Sequence, residues 1–119
     1  MTLQEIFDKA VAGLAAQGFT QALDAEGSCV YRAPDGGKCA LGQVMSDAEY
    51  SPRFEYEPAG RLVGSVAWVT RDNANKLVLL QQCHDYGDTP QKMRGALRSF
   101  ATNYGLTLPA VLQEKEDEA

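Results

Sequence analysis

Three cysteines and one histidine are the residues of this 119-residue chain whose types could support nucleophilic or metal chemistry. A structural zinc site usually takes two ligands from a short Cys-x2-4-Cys knuckle, whereas nine residues separate Cys29 from Cys39. Cys83 and His84 are direct neighbours in the chain, and neighbours on a helix project about 100° apart. The spacing therefore predicts no metal site and no cofactor.

A cysteine nucleophile needs an imidazole within hydrogen-bond reach and a third group that orients the ring. Cys83 cannot serve His84, because adjacent helical residues do not face each other. Cys39 could do so, with Asp85 as a candidate orienting group. The competing interpretation is a packed His84 at the margin of an apolar helix face, with its ring nitrogens bonded to the backbone. We predict no catalytic residue and keep a thiol-dependent enzyme built on Cys39, His84 and Asp85 as the alternative.

Residues 28–42, which contain the stretch CVYRAPDGGKCAL, predict a β-hairpin around a type I turn. If Gly36 takes the left-handed position of that turn, Arg32 pairs with Lys38. Both cysteines of the stretch then lie on one face, where we interpret them first as small buried apolar residues. The second arm could instead form a helix over residues 40–45, because Ala, Leu, Gln and Met favour helix.

Apolar residues recur at helical spacing in three stretches that carry their own boundary signals. Residues 3–17 begin with a Thr-x-x-Glu capping box, and residues 75–86 follow a possible asparagine cap. A third helix begins near Pro90 and ends before Gly105. We predict a further helix over residues 62–69. A strand is the alternative, since the alternation of apolar residues there also fits a period of two.

These elements predict an α+β fold, a small and mostly helical single domain with one β-hairpin packed on amphipathic helices. The domain covers residues 1–113, and residues 114–119 are expected to be an acidic, disordered tail. The tail holds four acids and one lysine, which leaves little of the formal charge of −5 on the body. A nucleic-acid binder usually shows a net basic surface, so we expect no direct nucleic-acid binding.

Composition also bears on location. No apolar run approaches the roughly 20 residues that span a bilayer, and the N-terminus MTLQEIFDKA lacks the basic and apolar regions of a secretory signal. Three cysteines are too few, and odd in number, for a disulfide framework. We therefore expect a soluble cytoplasmic protein with no membrane association.

Residues 46–60 are the best candidate for a recognition surface, because they are irregular and alternate acids with aromatics. This composition suits a partner that is both apolar and basic. The predicted contact residues are Tyr50, Arg53, Phe54, Glu55, Tyr56 and Glu57. The competing interpretation places Tyr50 and Phe54 in the core.

A basic face on the last long helix is a second possible contact surface, for a phosphate or an acidic partner. Its residues are Lys92, Arg94 and Arg98. The simpler interpretation is a solvated helix face.

The segments CVYRAPDGGKCALGQVM, DAEY, EPAG, LLQQCHD and NYGL resemble a group of small proteins from tailed phages and prophages. That group shows Cys-x-Tyr-Arg, a Gly-rich turn, Lys-Cys-Ala-x-Gly, an acidic-Tyr turn and a helix ending in His-Asp. The similarity spans roughly residues 28 to 105. The matching residues are Cys29, Tyr31, Arg32, Cys39, His84 and Asp85. The chain departs from the pattern at Glu57-Pro58-Ala59-Gly60, where the group has Glu-Gly.

The resemblance implies a phage accessory protein that binds and blocks a host protein, for example a defence enzyme, in the cytoplasm of the bacterial host. Two other hypotheses stay open. One is the thiol-dependent enzyme described above, and the other is a structural component of a homo-oligomer.

Overall fold

Five α-helices supply most of the regular structure in the computed structural model, which describes residues 1–113. They are α1 (Leu3–Ala16), α2 (Ala40–Val44), α3 (Ala74–Asp85), α4 (Pro90–Asn103) and α5 (Ala110–Gln113). Short 3-10 turns over Pro52–Phe54 and Ala59–Leu62 interrupt the long connection between α2 and α3. The prediction of a small, mostly helical single domain is confirmed. The predicted acidic tail lies outside the described residues.

Helices α1 and α4 begin where their capping signals predict. At α1 the Thr2 hydroxyl accepts from the Glu5 N–H at 3.1 Å, and the Glu5 carboxylate accepts from the Thr2 N–H at 2.7 Å. At α4 the Thr89 hydroxyl accepts from the Lys92 N–H at 3.1 Å, and a proline occupies the first turn. These side chains satisfy backbone donors that have no partner inside the helix, so the boundaries can be identified from local sequence.

The core lies where α1, α2, α3 and α4 meet. The Phe7 ring of α1 stacks on Phe100 of α4 with centroids 5.7 Å apart. Leu41 from α2 and Leu77 and Leu80 from α3 are fully buried. Each such side chain contributes about 1.5–3 kcal/mol through burial. The resulting radius of gyration is 13.5 Å, close to the about 13 Å expected for a compact domain of 100 residues.

The predicted β-hairpin over residues 28–42 is wrong, because no β-strand forms anywhere in residues 1–113. The described chain instead contains isolated antiparallel bridges, which join Leu23 to Cys29 and Arg32 to Lys38. The pair Arg32 and Lys38 is the one that the preferred turn register predicted, but the pairing does not extend into strands.

The pairing of residues on the two sides of the turn ends where helix α2 begins. Cys39 is the N-cap of the helix, and its Sγ accepts from the Gly42 N–H at 3.3 Å. The turn itself has Gly36 at φ +94°, as the predicted register requires. After the turn, the chain therefore forms the helix that the sequence allowed as the alternative, and this helix begins at Ala40.

The helix predicted over residues 62–69 is also wrong. Beyond its first residue this segment is a series of turns, with Gly64 at φ +90° and a bond from the Val69 N–H to the Val66 carbonyl at 3.0 Å. Trp68 is nevertheless buried. The spacing of the apolar residues therefore reflects the burial of an irregular segment and does not indicate a helix.

Candidate functional site

A pocket of about 290 Å³ opens where three parts of the chain meet. These are the segment before the Gly-rich turn, the segment after the first 3-10 turn, and the last turn of α3. The lining residues are Cys29, Val30, Tyr31, Tyr56, Glu57, Pro58, Gln81 and Asp85. The pocket thus joins parts of the predicted recognition segment, the predicted hairpin and the His-Asp end of α3.

His84 is fully buried at the end of α3, and both of its ring nitrogens have partners. The Ala22 backbone N–H, which can only donate, points at Nε2 from 2.8 Å. The ring proton therefore lies on Nδ1, which donates to Asp85 Oδ1 at 2.9 Å. Beside it, the Gln21 side-chain amide donates to the carbonyls of His84 and Asp85. His84 is a neutral structural residue that fastens residues 21–22 to the C-terminal end of α3.

Cys39 and His84, the residues of the alternative enzyme hypothesis, have separate partners. The Cys39 thiol is fully buried and caps α2, and burial raises its pKa to about 12. No hydrogen bond joins it to His84 within the described chain. The structure does bring His84 and Asp85 together, but the arrangement holds the ring in place without leaving a nitrogen free to accept a proton.

Cys29 is the cysteine that lies close to the His-Asp pair. Single ligand atoms of Cys29, His84 and Asp85 lie within 4.8 Å of one another, a donor set that could in principle hold a metal. A metal on Nδ1 would move the ring proton to Nε2, where it would meet the Ala22 N–H. Two donors would then face each other in a buried position, which argues against a metal here.

The three thiols are predicted to react slowly with iodoacetamide in the native protein. Burial, followed by the charge of Asp85, raises the pKa of Cys29 from 9.0 to about 11, which lowers its thiolate fraction at pH 8 about 100-fold. The greater nucleophilicity of a more basic thiolate offsets part of this, so we expect alkylation about tenfold slower than for a free thiol. Because the neutral form dominates below the raised pKa, the rate should rise about tenfold per pH unit towards pH 11.

Mass spectrometry of alkylated peptides gives the rate for each cysteine, and the urea-unfolded chain is the control in which all three react as free thiols. Cys39 and Cys83, whose pKa values burial raises to about 12, should react only in that control. A cysteine that reacts faster in the native than in the unfolded protein would restore the enzyme hypothesis.

The predicted contact residues divide between the interior and the surface. Phe54 is 7% exposed and belongs to the core. The Glu55 carboxylate accepts from the Tyr31 N–H at 2.7 Å, from the Arg32 N–H at 3.1 Å and from the Tyr50 hydroxyl. The Tyr50 ring is half-buried and lies 4.5 Å beneath the Arg32 guanidinium. Phe54, Glu55 and Tyr50 therefore hold the segment against the body of the protein.

Tyr56 is the exposed aromatic of this segment. Its side chain is 69% exposed, and its backbone adopts the left-handed conformation, φ +67°. The hydroxyl donates to Asp24 Oδ2 at 2.6 Å, which raises the pKa of Tyr56 and lowers that of Asp24. Arg53 and Glu57 are exposed on either side of it in the chain. We call Arg53, Tyr56 and Glu57 the Tyr56 surface.

The predicted basic face on α4 is partly occupied by contacts within the protein. Lys92 is exposed and pairs with Asp88 at 3.1 Å. Arg94 is half-buried, with its guanidinium 5.5 Å from the centroid of the Phe19 ring. Arg98 is half-buried as well. The side chains of this face therefore contact the rest of the protein more than those of a fully solvated helix face would.

Sequence reasoning missed the contributions of Asp24, Gln81 and Cys29 to the site. Asp24 had a local signal, because Asp-x-x-Gly is typical of a turn in which the carboxylate accepts nearby N–H groups. Its Oδ1 accepts from the N–H groups of Glu26 and Ser28 at 2.9 and 2.8 Å. Gln81 and Cys29 had no such signal, since only the tertiary fold brings them to the pocket.

Comparisons with family models, curated proteins and solved structures find no match for this chain. Among the helices of residues 1–113, none is long and apolar enough to cross a membrane. The site must therefore be interpreted from its own geometry.

Proposed function

We propose that this protein is a phage-type accessory protein that binds and blocks a host protein in the cytoplasm of a bacterial host. The Tyr56 surface makes the contact. The observation that carries the proposal is a large aromatic side chain held outward by a strained backbone and a short hydrogen bond. The phage setting is supported by the sequence resemblance alone.

The conformation of Tyr56 supports binding because it is energetically unfavourable by itself. A non-glycine residue in the left-handed region costs on the order of 1–3 kcal/mol, and such residues cluster at functional sites. The bond to Asp24 at 2.6 Å holds the exposed ring in one place. A pre-organised tyrosine loses little entropy on association, which is why tyrosine is common among the residues that dominate binding energy.

The chemistry of the neighbouring groups favours binding over catalysis. The nearby thiol of Cys29 has its pKa raised to about 11, so it is protonated at neutral pH. The imidazole of His84 is buried and bonded through both nitrogens. Covalent catalysis requires an accessible nucleophile and an accessible base. Cys29 and His84 do not supply this pair.

The proposal predicts that capture of a host protein depends on Tyr56 and not on Tyr86. Tagged wild-type protein, Tyr56→Ala and Tyr86→Ala are each used to capture proteins from host lysate. Tyr86 is a matched control, because it is 75% exposed and makes no side-chain hydrogen bond to a described residue. The expected result is a host protein recovered with wild type and with Tyr86→Ala, and at least tenfold depleted with Tyr56→Ala, since such anchors contribute about 2 kcal/mol or more.

Thermal melting of the three proteins separates binding from folding. The melting temperature of Tyr56→Ala should stay within a few degrees of wild type, because the side chain is largely solvated. Equal recovery of the same proteins by all three baits would overturn the proposed contact surface. Failure of every bait to recover a protein above an unrelated acidic bait would overturn the proposed function.

A further inference from the structure

We propose that the pocket beside Tyr56 binds one arginine side chain of the partner protein. This inference rests on the proposed function and adds the chemical identity of the group that is recognised. It follows from the partly exposed Asp85 carboxylate, the aromatic residues and the negative charge that line the pocket.

The Asp85 carboxylate lines the pocket and is held in place by hydrogen bonds from the fold. Its Oδ1 accepts from Gln81 Nε2 at 3.1 Å and from His84 Nδ1 at 2.9 Å, and the Cys29 thiol also hydrogen-bonds to the carboxylate. The side chain is 31% exposed and lines the pocket, and an ionised carboxylate has about four acceptor sites, so it can accept a further donor. A carboxylate held in this way is positioned to accept a charge-assisted hydrogen bond from a cation.

The rest of the lining suits a flat cation. Tyr31, Tyr56 and Pro58 supply apolar and aromatic surface. Glu57 adds a second carboxylate, which is exposed and also forms a long ion pair with Arg61 at 3.9 Å. Within residues 1–113, no lysine or arginine lines the pocket. A guanidinium group stacks on aromatic rings and donates in a planar fork to carboxylates, and it is more weakly hydrated than an ammonium group. Arginine therefore fits this combination better than lysine.

The size of the pocket limits the occupant to a side chain. About 290 Å³ lies at the small end of the roughly 300–1,000 Å³ range of sites that enclose whole ligands. A single long side chain that enters from a partner surface matches this volume. The Tyr56 surface around the opening would then contact the residues flanking that arginine.

NMR titration with a blocked amino acid tests the pocket without knowledge of the partner. N-acetyl-arginine methylamide is added to 15N-labelled protein up to roughly 20 mM, an excess over the millimolar dissociation constant expected for one side chain. The expected result is saturable shifts at the amides of Cys29, Tyr31 and Asp85. The matched probe is N-acetyl-citrulline methylamide, which has nearly the same shape and no charge, and it should produce at least tenfold weaker shifts.

Asp85→Asn is the decisive variant. An asparagine amide oxygen can keep the bonds from His84 and Gln81, while its NH2 group replaces Oδ2 and repels a cation. Binding of blocked arginine should weaken at least tenfold, as expected for loss of a charge-assisted hydrogen bond. Asp88→Asn is the control, because Asp88 is exposed, pairs with Lys92 and does not line the pocket. If Asp85→Asn fails to fold, Glu57→Gln at the exposed rim takes its place, with an expected loss of about threefold or more.

The outcomes separate this inference from the proposed function. Shifts confined to other parts of the protein, equal shifts with citrulline, or unchanged binding by Asp85→Asn would overturn the arginine pocket. Tyr56-dependent capture of a host protein would stand in that case. Conversely, specific binding of blocked arginine together with failed capture would support the pocket and overturn the proposed function. Stronger shifts with blocked lysine than with blocked arginine would overturn the choice of guanidinium.

Discussion

Replacement of Gly42 by alanine is expected to destabilise the protein by about 3 kcal/mol or more. A Cβ at this position would collide with the Tyr31 carbonyl oxygen and would lie 3.1 Å from the carbonyl carbon. The backbone there cannot easily move away, because the Tyr31 N–H is bonded to Glu55 and the carbonyl accepts from the Cys39 N–H at 3.3 Å. Relief of the clash requires α2 to separate from the segment that borders the pocket.

Gly95→Ala is the matched control for this substitution. Gly95 lies inside α4, and outside its own stretch of helix no heavy atom of residues 1–113 comes within 4 Å of a Cβ added there. Alanine should therefore stabilise the protein by about 0.5–1 kcal/mol, as in the interior of an unstrained helix. Urea unfolding monitored by circular dichroism measures both values. Similar unfolding free energies for the two variants would contradict the close approach of α2 to Tyr31.

Replacement of His84 by leucine is expected to cost about 3–5 kcal/mol of folding free energy, although leucine is more hydrophobic and of similar size. The main reason is the Ala22 N–H, which would be left buried without an acceptor. In addition, the Asp85 carboxylate would lose the His84 donor and keep the one from Gln81. His84→Gln should be less destabilised than His84→Leu, because an amide oxygen can reach the position of Nε2 and accept from Ala22.

The order of the two His84 variants is the informative measurement. Tyr86→Ala serves as the control at the end of the same helix and should change the unfolding free energy by no more than about 0.5 kcal/mol, because its side chain is exposed. If His84→Leu proved as stable as wild type or more stable than His84→Gln, the hydrogen-bonded role of the ring would be refuted.

The long helices could be predicted from sequence because their signals are local. The capping box at Thr2 and Glu5 and the cap at Thr89 lie within a few residues of the backbone groups they satisfy. The apolar stripes repeat within the same segments. Such elements need no information from distant parts of the chain.

The predicted hairpin was wrong in its second arm. The turn register was correct as far as the pair Arg32 and Lys38. The following residues favour helix by their local composition, and packing of α2 against α1 and α3 supports the helix over a second strand. The capping role of the Cys39 thiol is an uncommon signal that a search for Ser, Thr, Asp or Asn at the N-cap does not detect.

The pocket could be predicted only in part. Sequence reasoning identified the segment that contains Tyr56 and the pair His84 and Asp85, each as a separate feature. Their meeting depends on contacts between distant residues, such as the bond from the Ala22 N–H to His84 and the bond between Tyr56 and Asp24. The buried role of Phe54 also depends on the tertiary fold, because an acid-flanked aromatic has the same sequence pattern whether it faces solvent or the core.

The most direct test of the central claim is hydrogen exchange of the protein in the presence and absence of the partner recovered by capture. The proposed contact predicts that the partner slows exchange of amides in residues 22–31 and 53–58, which carry Asp24 and the Tyr56 surface. Exchange in the part of α4 that carries Lys92, Arg94 and Arg98 should not change. Protection confined to that face of α4, with unchanged exchange around Tyr56, would contradict the account.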